Sequence, residues 1–211
     1  MNNNDLMTEL ENLFSKTKLI YNDEQLDKLV KLTELLIKWN KKLNLTAIND
    51  PIDILKLHVM DSAVVSPYLS GKAIADLGTG QGFPGLVLAI LNADRNFTLI
   101  DSVAKKLAFV RSAVISLGIK NVTVINDRCE NIKPKEKYDC IVSRAFAPLE
   151  RMIKWSIPLI ARDGVFLAMK GDLKEDELKA VPHSVMIKEI IDIKVPDLAA
   201  QRKIVILKPT V

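Results

Sequence analysis

The sequence predicts an α/β fold: a doubly wound, mostly parallel seven-stranded sheet with an antiparallel terminal strand, preceded by a helical extension. Three observations carry this. From Lys72 onwards, short apolar runs at 73–77, 96–100, 122–125, 138–142 and 165–169 alternate with helical segments, the pattern of a parallel sheet. Two further runs at 185–193 and 203–207 are separated only by a short connection around Pro196 and Asp197, too short for a crossover helix, so they must pair antiparallel. Before the first run, Leu29, Leu32, Leu36, Trp39 and Leu43 recur in steps of three and four along one helical face. The expected organisation is a helical extension over 1–70 and a sheet-containing core over 71–211.

The elements can be justified in order. Asn22, with Gln25 three residues later, forms the pattern of a capping box, Asp23 and Glu24 suit a first helical turn, and Lys38, Lys41 and Lys42 suit a last one. A second helical stretch is expected to start at Pro51 and run over 51–68. Between the second and third strands, Ser102 is the expected cap of a helix whose face carries Val103, Leu107, Val110, Val114 and Leu117, with Gly118 as its stop.

Composition narrows the class. With 211 residues, 48% hydrophobic and 27% charged, the chain is a globular protein large enough for one core without staples. Two cysteines, Cys129 and Cys140, and two histidines supply neither a disulfide framework nor a complete zinc site, and a reducing cytoplasm is the expected compartment. The longest strongly apolar stretch, 83–91, is far below the roughly 20 residues of a membrane span, and the polar start lacks signal-peptide architecture. The net charge is +4, but residues 102–170 hold 13 Lys and Arg against 6 Asp and Glu, an asymmetry that points to a polyanionic partner. A solubility charge spread over unrelated faces would give the same count.

In an open parallel sheet, ligands bind beyond the carboxyl ends of the strands. There the chain reads Asp76-Leu77-Gly78-Thr79-Gly80-Gln81-Gly82-Phe83-Pro84-Gly85, then Asp101, then Asp127-Arg128-Cys129-Glu130, Ser143-Arg144 and Lys170-Gly171. The glycine segment satisfies the GxGxxG dinucleotide fingerprint, with Gly80 at its start, but also the longer DxGxGxG pattern that adds a carboxylate at Asp76. That carboxylate is expected to repel a pyrophosphate and to accept the sulfonium and ammonium charges of S-adenosylmethionine. Asp101, 25 residues later, is placed to accept ribose hydroxyls from either cofactor.

An NAD-dependent oxidoreductase therefore stays open, with Tyr68-x-x-x-Lys72 as its possible catalytic pair, although Gly71 interrupts that pair and Tyr68 more simply packs the connection into the sheet. A non-catalytic RNA-binding assembly factor on the same fold stays open as well. Cys140, inside its strand, reads as core.

Asn44-Leu45-Thr46-Ala47-Ile48, His58-x-x-Asp61-Ser62, DLGTGQGFPG, Leu99-Ile100-Asp101-Ser102, Ser143-Arg144-Ala145-Phe146-Ala147 and Lys170-Gly171 resemble, in order, the motifs of the glucose-inhibited division protein B family, the bacterial ribosomal RNA small-subunit methyltransferase G. The resemblance covers nearly the whole chain. It implies a Rossmann-like class I methyltransferase that binds S-adenosylmethionine and methylates N7 of a guanine in 16S ribosomal RNA. The family's cofactor contacts fall on Gly78, Phe83, Cys129, Glu130 and Arg144. This chain departs from the family at Leu57, where a basic residue is usual and Lys56 is the available substitute, and at Cys129, where a small residue such as alanine is usual.

On this reading N7 carries a lone pair and no proton, so no general base and no catalytic side chain is expected, and the enzyme's work is alignment. Arg144 and Lys170 are candidates for holding the base and its phosphates. Arg202 and His58 are candidates for RNA contact, although His58 serves equally as a packing or capping residue. The target should be an unpaired guanine, because the A-form major groove hides N7, and binding should be salt-sensitive. The partners expected are 16S ribosomal RNA or the small subunit, with no membrane and no metal, and the chain is expected to act as a monomer.

Overall fold

The computed structural model describes residues 3–210. Its sheet has seven strands: β1 (Ala73–Leu77), β2 (Asn96–Asp101), β3 (Val122–Asn126), β4 (Tyr138–Arg144), β5 (Ile160–Lys170), β6 (Val185–Ile193) and β7 (Arg202–Pro209), in the spatial order 3-2-1-4-5-7-6. β1 to β5 pair in parallel, and β7 runs antiparallel to both β5 and β6. The order reverses beside β1, which has β2 on one side and β4 on the other, so a crevice opens above the carboxyl ends of β1, β2 and β4.

Strand alternation divides the apolar residues between two faces. Ile74, Leu99, Val142 and Leu167 point to one core, which they share with Leu10 of α1 (Asn3–Ser15), Leu29 and Leu36 of α2 (Asp23–Leu43), Leu86 of α5 (Gly85–Leu91) and Leu107 of α6 (Ala104–Ser116). Leu77, Ile100, Ile141 and Phe166 point to the other, against Leu149 and Met152 of α7 (Leu149–Ser156), which in turn contacts α8 (Glu175–Lys179). The helices before residue 71 thus share a core with the sheet. Cys140 is fully buried there, and burial pushes its thiol up to about 12.

The capping box at α2 forms as the spacing predicts: Asn22 Oδ1 accepts from Gln25 N, and Gln25 Oε1 accepts from Asn22 N. Two local expectations need correction. Residues 51–68 are not one helix but α3 (Pro51–Ile54), a π-helical segment Leu55–Met60, α4 (Asp61–Ala63) and a 3₁₀ turn at Ser66–Tyr68. The wider π turn accompanies the burial of both His58 and Asp61. Ser102 does not cap α6: its N-cap is Val103, with no side-chain cap bond, and Asp101 Oδ1 instead accepts the Val103 N–H at 2.8 Å in the turn that leads into the helix. Tyr68 packs against the core.

Among the described residues, no helix is long and apolar enough to cross a membrane, and no cluster of three or more His, Cys, Asp or Glu could hold a metal ion.

Candidate functional site

The loop after β1 is wound on its own backbone. Gly78 and Thr79 N–H groups both donate to Ile100 O, Gly82 and Phe83 N–H groups donate to Thr79 O, and Gly78, Gly80 and Gly82 all have positive φ. A side chain at Gly78 would collide with the Phe146 ring, 2.3 Å from where its Cβ would stand, whereas one at Gly80 would be only in ordinary contact with Lys106, whose Nζ is 3.9 Å away. The glycines thus let neighbouring side chains close tightly over the loop at Gly78 and leave it approachable at Gly80.

Asp76 corrects the expectation that its charge faces the ligand. The residue is completely buried and lines neither cavity described below. Its Oδ2 accepts from Thr79 Oγ1 at 2.6 Å and from Gly85 N at 2.8 Å, tying the two ends of the glycine loop together. Burial, the dominant influence, pushes its carboxyl up to about 6. The electrostatic choice between a cationic and an anionic cofactor therefore cannot rest on a displayed Asp76 carboxylate.

This shift gives a testable consequence. A carboxyl with a raised folded-state pKa contributes most stability when protonated, fully below about 3.8, and loses that contribution as pH rises through about 6. Asp76→Asn should remove this component. Urea unfolding at pH 4 and pH 7 should show wild type losing up to about 3 kcal/mol relative to the variant across that interval. Equal pH dependence in the two proteins would refute it.

Two adjoining cavities lie beyond the strand ends, and Gly78, Lys106 and Ala145 line both. The first, about 390 Å³, is bounded by Asp101, Cys129, Glu130, Phe146 and Trp155 together with Ile100 and Arg128. Asp101 is fixed from below, since Oδ2 accepts Gly80 N–H and Oδ1 accepts Val103 N–H, each at 2.8 Å. Each oxygen keeps a second lone pair for a hydroxyl. The Cys129 thiol donates to Glu130 Oε2 at 3.2 Å, and burial first, then that carboxylate, pushes it up to about 12, so it is an inert wall.

The second cavity, about 590 Å³, contains Gly80, Phe83, Arg144, His58, Lys170 and Arg202 in its wall. An ion and hydrogen-bond network holds them. Asp61, 4% exposed, accepts from Arg144 Nη1 through Oδ2 at 3.0 Å and from Arg202 Nε through Oδ1 at 2.6 Å. Arg144 also donates to Leu57 O, and its Nη2 lies 3.2 Å from His58 Nδ1. A guanidinium can only donate, so Nδ1 accepts and the imidazole proton sits on Nε2, which donates to Thr46 Oγ1 at 3.0 Å. Burial first, and then the Arg144 charge, lowers the His58 pKa to about 4, leaving a neutral ring stacked on Phe83 at 5.0 Å. Lys170 Nζ donates to Ala147 O and to Glu177 Oε1, pinning the loop after β4.

The ten residues singled out from the sequence therefore gather in one place. Gly78, Asp101, Cys129 and Glu130 line the first cavity, and Gly80, Phe83, Arg144, His58, Lys170 and Arg202 the second. Sequence reasoning quoted Asp61 and Thr46 without assigning them a task, overlooked Trp155, and counted Lys106 only as one of the cations in the basic segment. A lysine in the first turn of a helix, against the dipole, is the signal that could have drawn attention to Lys106.

The first cavity suits S-adenosylmethionine: an oriented Asp101 carboxylate with free lone pairs stands beside an apolar wall of Ile100, Phe146 and Trp155.

Comparison with known proteins agrees with the motif reading. The family model for rRNA small subunit methyltransferase G matches residues 25–205. The chain is 46% identical over 203 residues to the ribosomal RNA small subunit methyltransferase G of Psychromonas ingrahamii, covering 96% of this chain and 98% of that one. It is 44% identical, over 96% of each chain, to the protein of the same name from Vibrio campbellii. Among solved structures, it resembles a SAM-dependent methyltransferase from Aquifex aeolicus with a TM-score of 0.57 at 16% identity, over 81% of this chain and 96% of that one, a likeness of fold.

Proposed function

This chain belongs to the rRNA small subunit methyltransferase G family, and from that premise we propose that it methylates N7 of a guanine in 16S ribosomal RNA, with S-adenosylmethionine as donor. The observation that carries the reading is the union of two cavities at Gly78 and Ala145, one floored by an oriented carboxylate and the other walled by guanidiniums.

S-adenosylmethionine, when bound, supplies an electrophilic methyl group carried on a sulfonium. Gly80 would give it an approachable stretch of backbone, Asp101 would receive its ribose hydroxyls, and Gly78, Cys129 and Glu130 would border the nucleoside. Phe83 and Arg144 line the second cavity, where the guanine would enter. The Arg144 guanidinium, 5.8 Å from the Phe83 ring centroid, faces that ring as His58 stacks on it, so cation and aromatics form one preset wall.

Guanine N7 has no proton to lose, so none of these side chains acts as a base. His58 illustrates the point: both ring nitrogens are engaged and the ring stays neutral, which suits it to positioning Arg144. Catalysis is then alignment in a confined space, worth several orders of magnitude in effective concentration. Lys170 and Arg202 act on the RNA side mainly by fixing the loop after β4 and the start of β7, with their remaining donors available to phosphate.

The test is to map N7-methylguanine by chemical cleavage in small-subunit RNA from cells with and without this protein, and then to restore the mark with purified protein and donor. A single cleavage site that vanishes without the protein and returns on addition is expected. An unchanged pattern, or methylation at another atom, would overturn the reading.

A further inference from the structure

The geometry points to Lys106 as the residue that holds a backbone phosphate of the nucleotide being methylated, an assignment that rests on the RNA-methyltransferase reading above. Lys106 is half-buried on α6 and lies in the wall of both cavities at their shared rim. Its Nζ overhangs the open side of Gly80.

The other cations in the wall of the second cavity are answered by carboxylates: Arg144 and Arg202 by Asp61, Lys170 by Glu177. Lys106 has no such partner among the described residues, although it could swing on a four-carbon stem. It also stands in the first turn of α6, where the helix dipole disfavours a positive charge. A cation left unpaired in that position is poised for an anion that arrives from outside.

Two anions could meet it, the donor's carboxylate and an RNA phosphate, and its surroundings favour the phosphate. Exposed Lys105 precedes it on the same helix, whereas Arg128 in the wall of the first cavity is flanked by the exposed acids Asp127 and Glu130, so the positive charge is concentrated on α6. Lys106 is thus an unpaired cation at the junction of the two cavities, where a phosphate can settle while its base enters the second cavity. A lysine aimed deeper would instead meet the donor's sulfonium, a like charge.

The experiment compares wild type, Lys106→Gln and Lys106→Arg as full chains. S-adenosylhomocysteine affinity is read by calorimetry. Binding across a salt series and steady-state methylation are read with small ribosomal subunits from cells lacking the protein. Lys106→Gln should raise the KM for subunits about tenfold with kcat changed less than about twofold. It should reduce the slope of log affinity against log salt by about one, and leave S-adenosylhomocysteine affinity unchanged. Lys106→Arg should recover most of the KM. Weakened S-adenosylhomocysteine binding with an unchanged salt slope would transfer the lysine to the cofactor and overturn the assignment, as would a variant indistinguishable from wild type. If wild type binds S-adenosylhomocysteine but methylates no subunit RNA, the underlying reading itself fails.

Discussion

Asp61→Ala is expected to lower stability by about 2–3 kcal/mol and methyl transfer by about a hundredfold. The Asp61 side chain is 5% exposed and answers two guanidiniums, so its loss leaves Arg144 and Arg202 side by side in the wall of the second cavity without a counter-charge. Removing one member of a fully buried pair costs about 3–5 kcal/mol, and the figure here is lower because the two arginine side chains keep 17% and 24% exposure. The activity loss follows from position, since Arg144 is also tied to His58, and an error near 1 Å in an aligning group costs roughly a hundredfold. Urea unfolding and single-turnover methylation measure the two effects separately. If stability falls as stated but the chemical rate holds, Asp61 is a fold residue alone.

Gly85→Ala should damage the glycine loop from its helical end, by crowding alone, since Gly85 has no positive φ to lose. An added Cβ would stand 2.7 Å from Asp76 Oδ2 and 2.8 Å from Leu99 Cγ, both on completely buried residues with no room to retreat. The expected cost is about 1–3 kcal/mol of overpacking. The Gly85 N–H bond to Asp76 shares the crowded oxygen with Thr79, so the loop from Gly78 to Phe83 shifts, and S-adenosylhomocysteine affinity should fall at least about tenfold. Gly118→Ala is the control. Nothing lies within 4 Å of the Cβ it would add, so it should carry only the strain of a positive φ, about 1 kcal/mol, with cofactor affinity unchanged. Calorimetry on the two variants decides, and equal affinity would remove Asp76 and Gly85 from the account of the site.

Much of the site was legible in the sequence because a parallel sheet turns order along the chain into proximity. Gly78 follows β1, Asp101 ends β2 and Glu130 lies just beyond β3, yet the parallel strands all end at the same edge, so periodicity alone brings them together. Asp76 shows where such reading fails. Its spacing from the glycines is visible in the chain, but the direction of a carboxylate depends on which donors fold around it, and Thr79 and Gly85 turn it inwards. Ser102 fails in a similar way: a good cap by type, it lies in a turn whose Asp101 carboxylate binds Val103 N and Gly80 N, so the helix starts one residue later without a side-chain cap.

The chain by itself determined the strand pattern, the capping box at Asn22, the glycine loop and the family, because each depends on residues close in sequence or on a repeating period. Tertiary structure alone decided the pairing of Asp61 with Arg202, 141 residues away, the neutral tautomer of His58 and the isolation of Lys106. Those are facts about charge, and a charge is defined by what surrounds it in space: burial and the partners that folding brings within about 3 Å fix its ionisation and direction, and neither is encoded in local spacing.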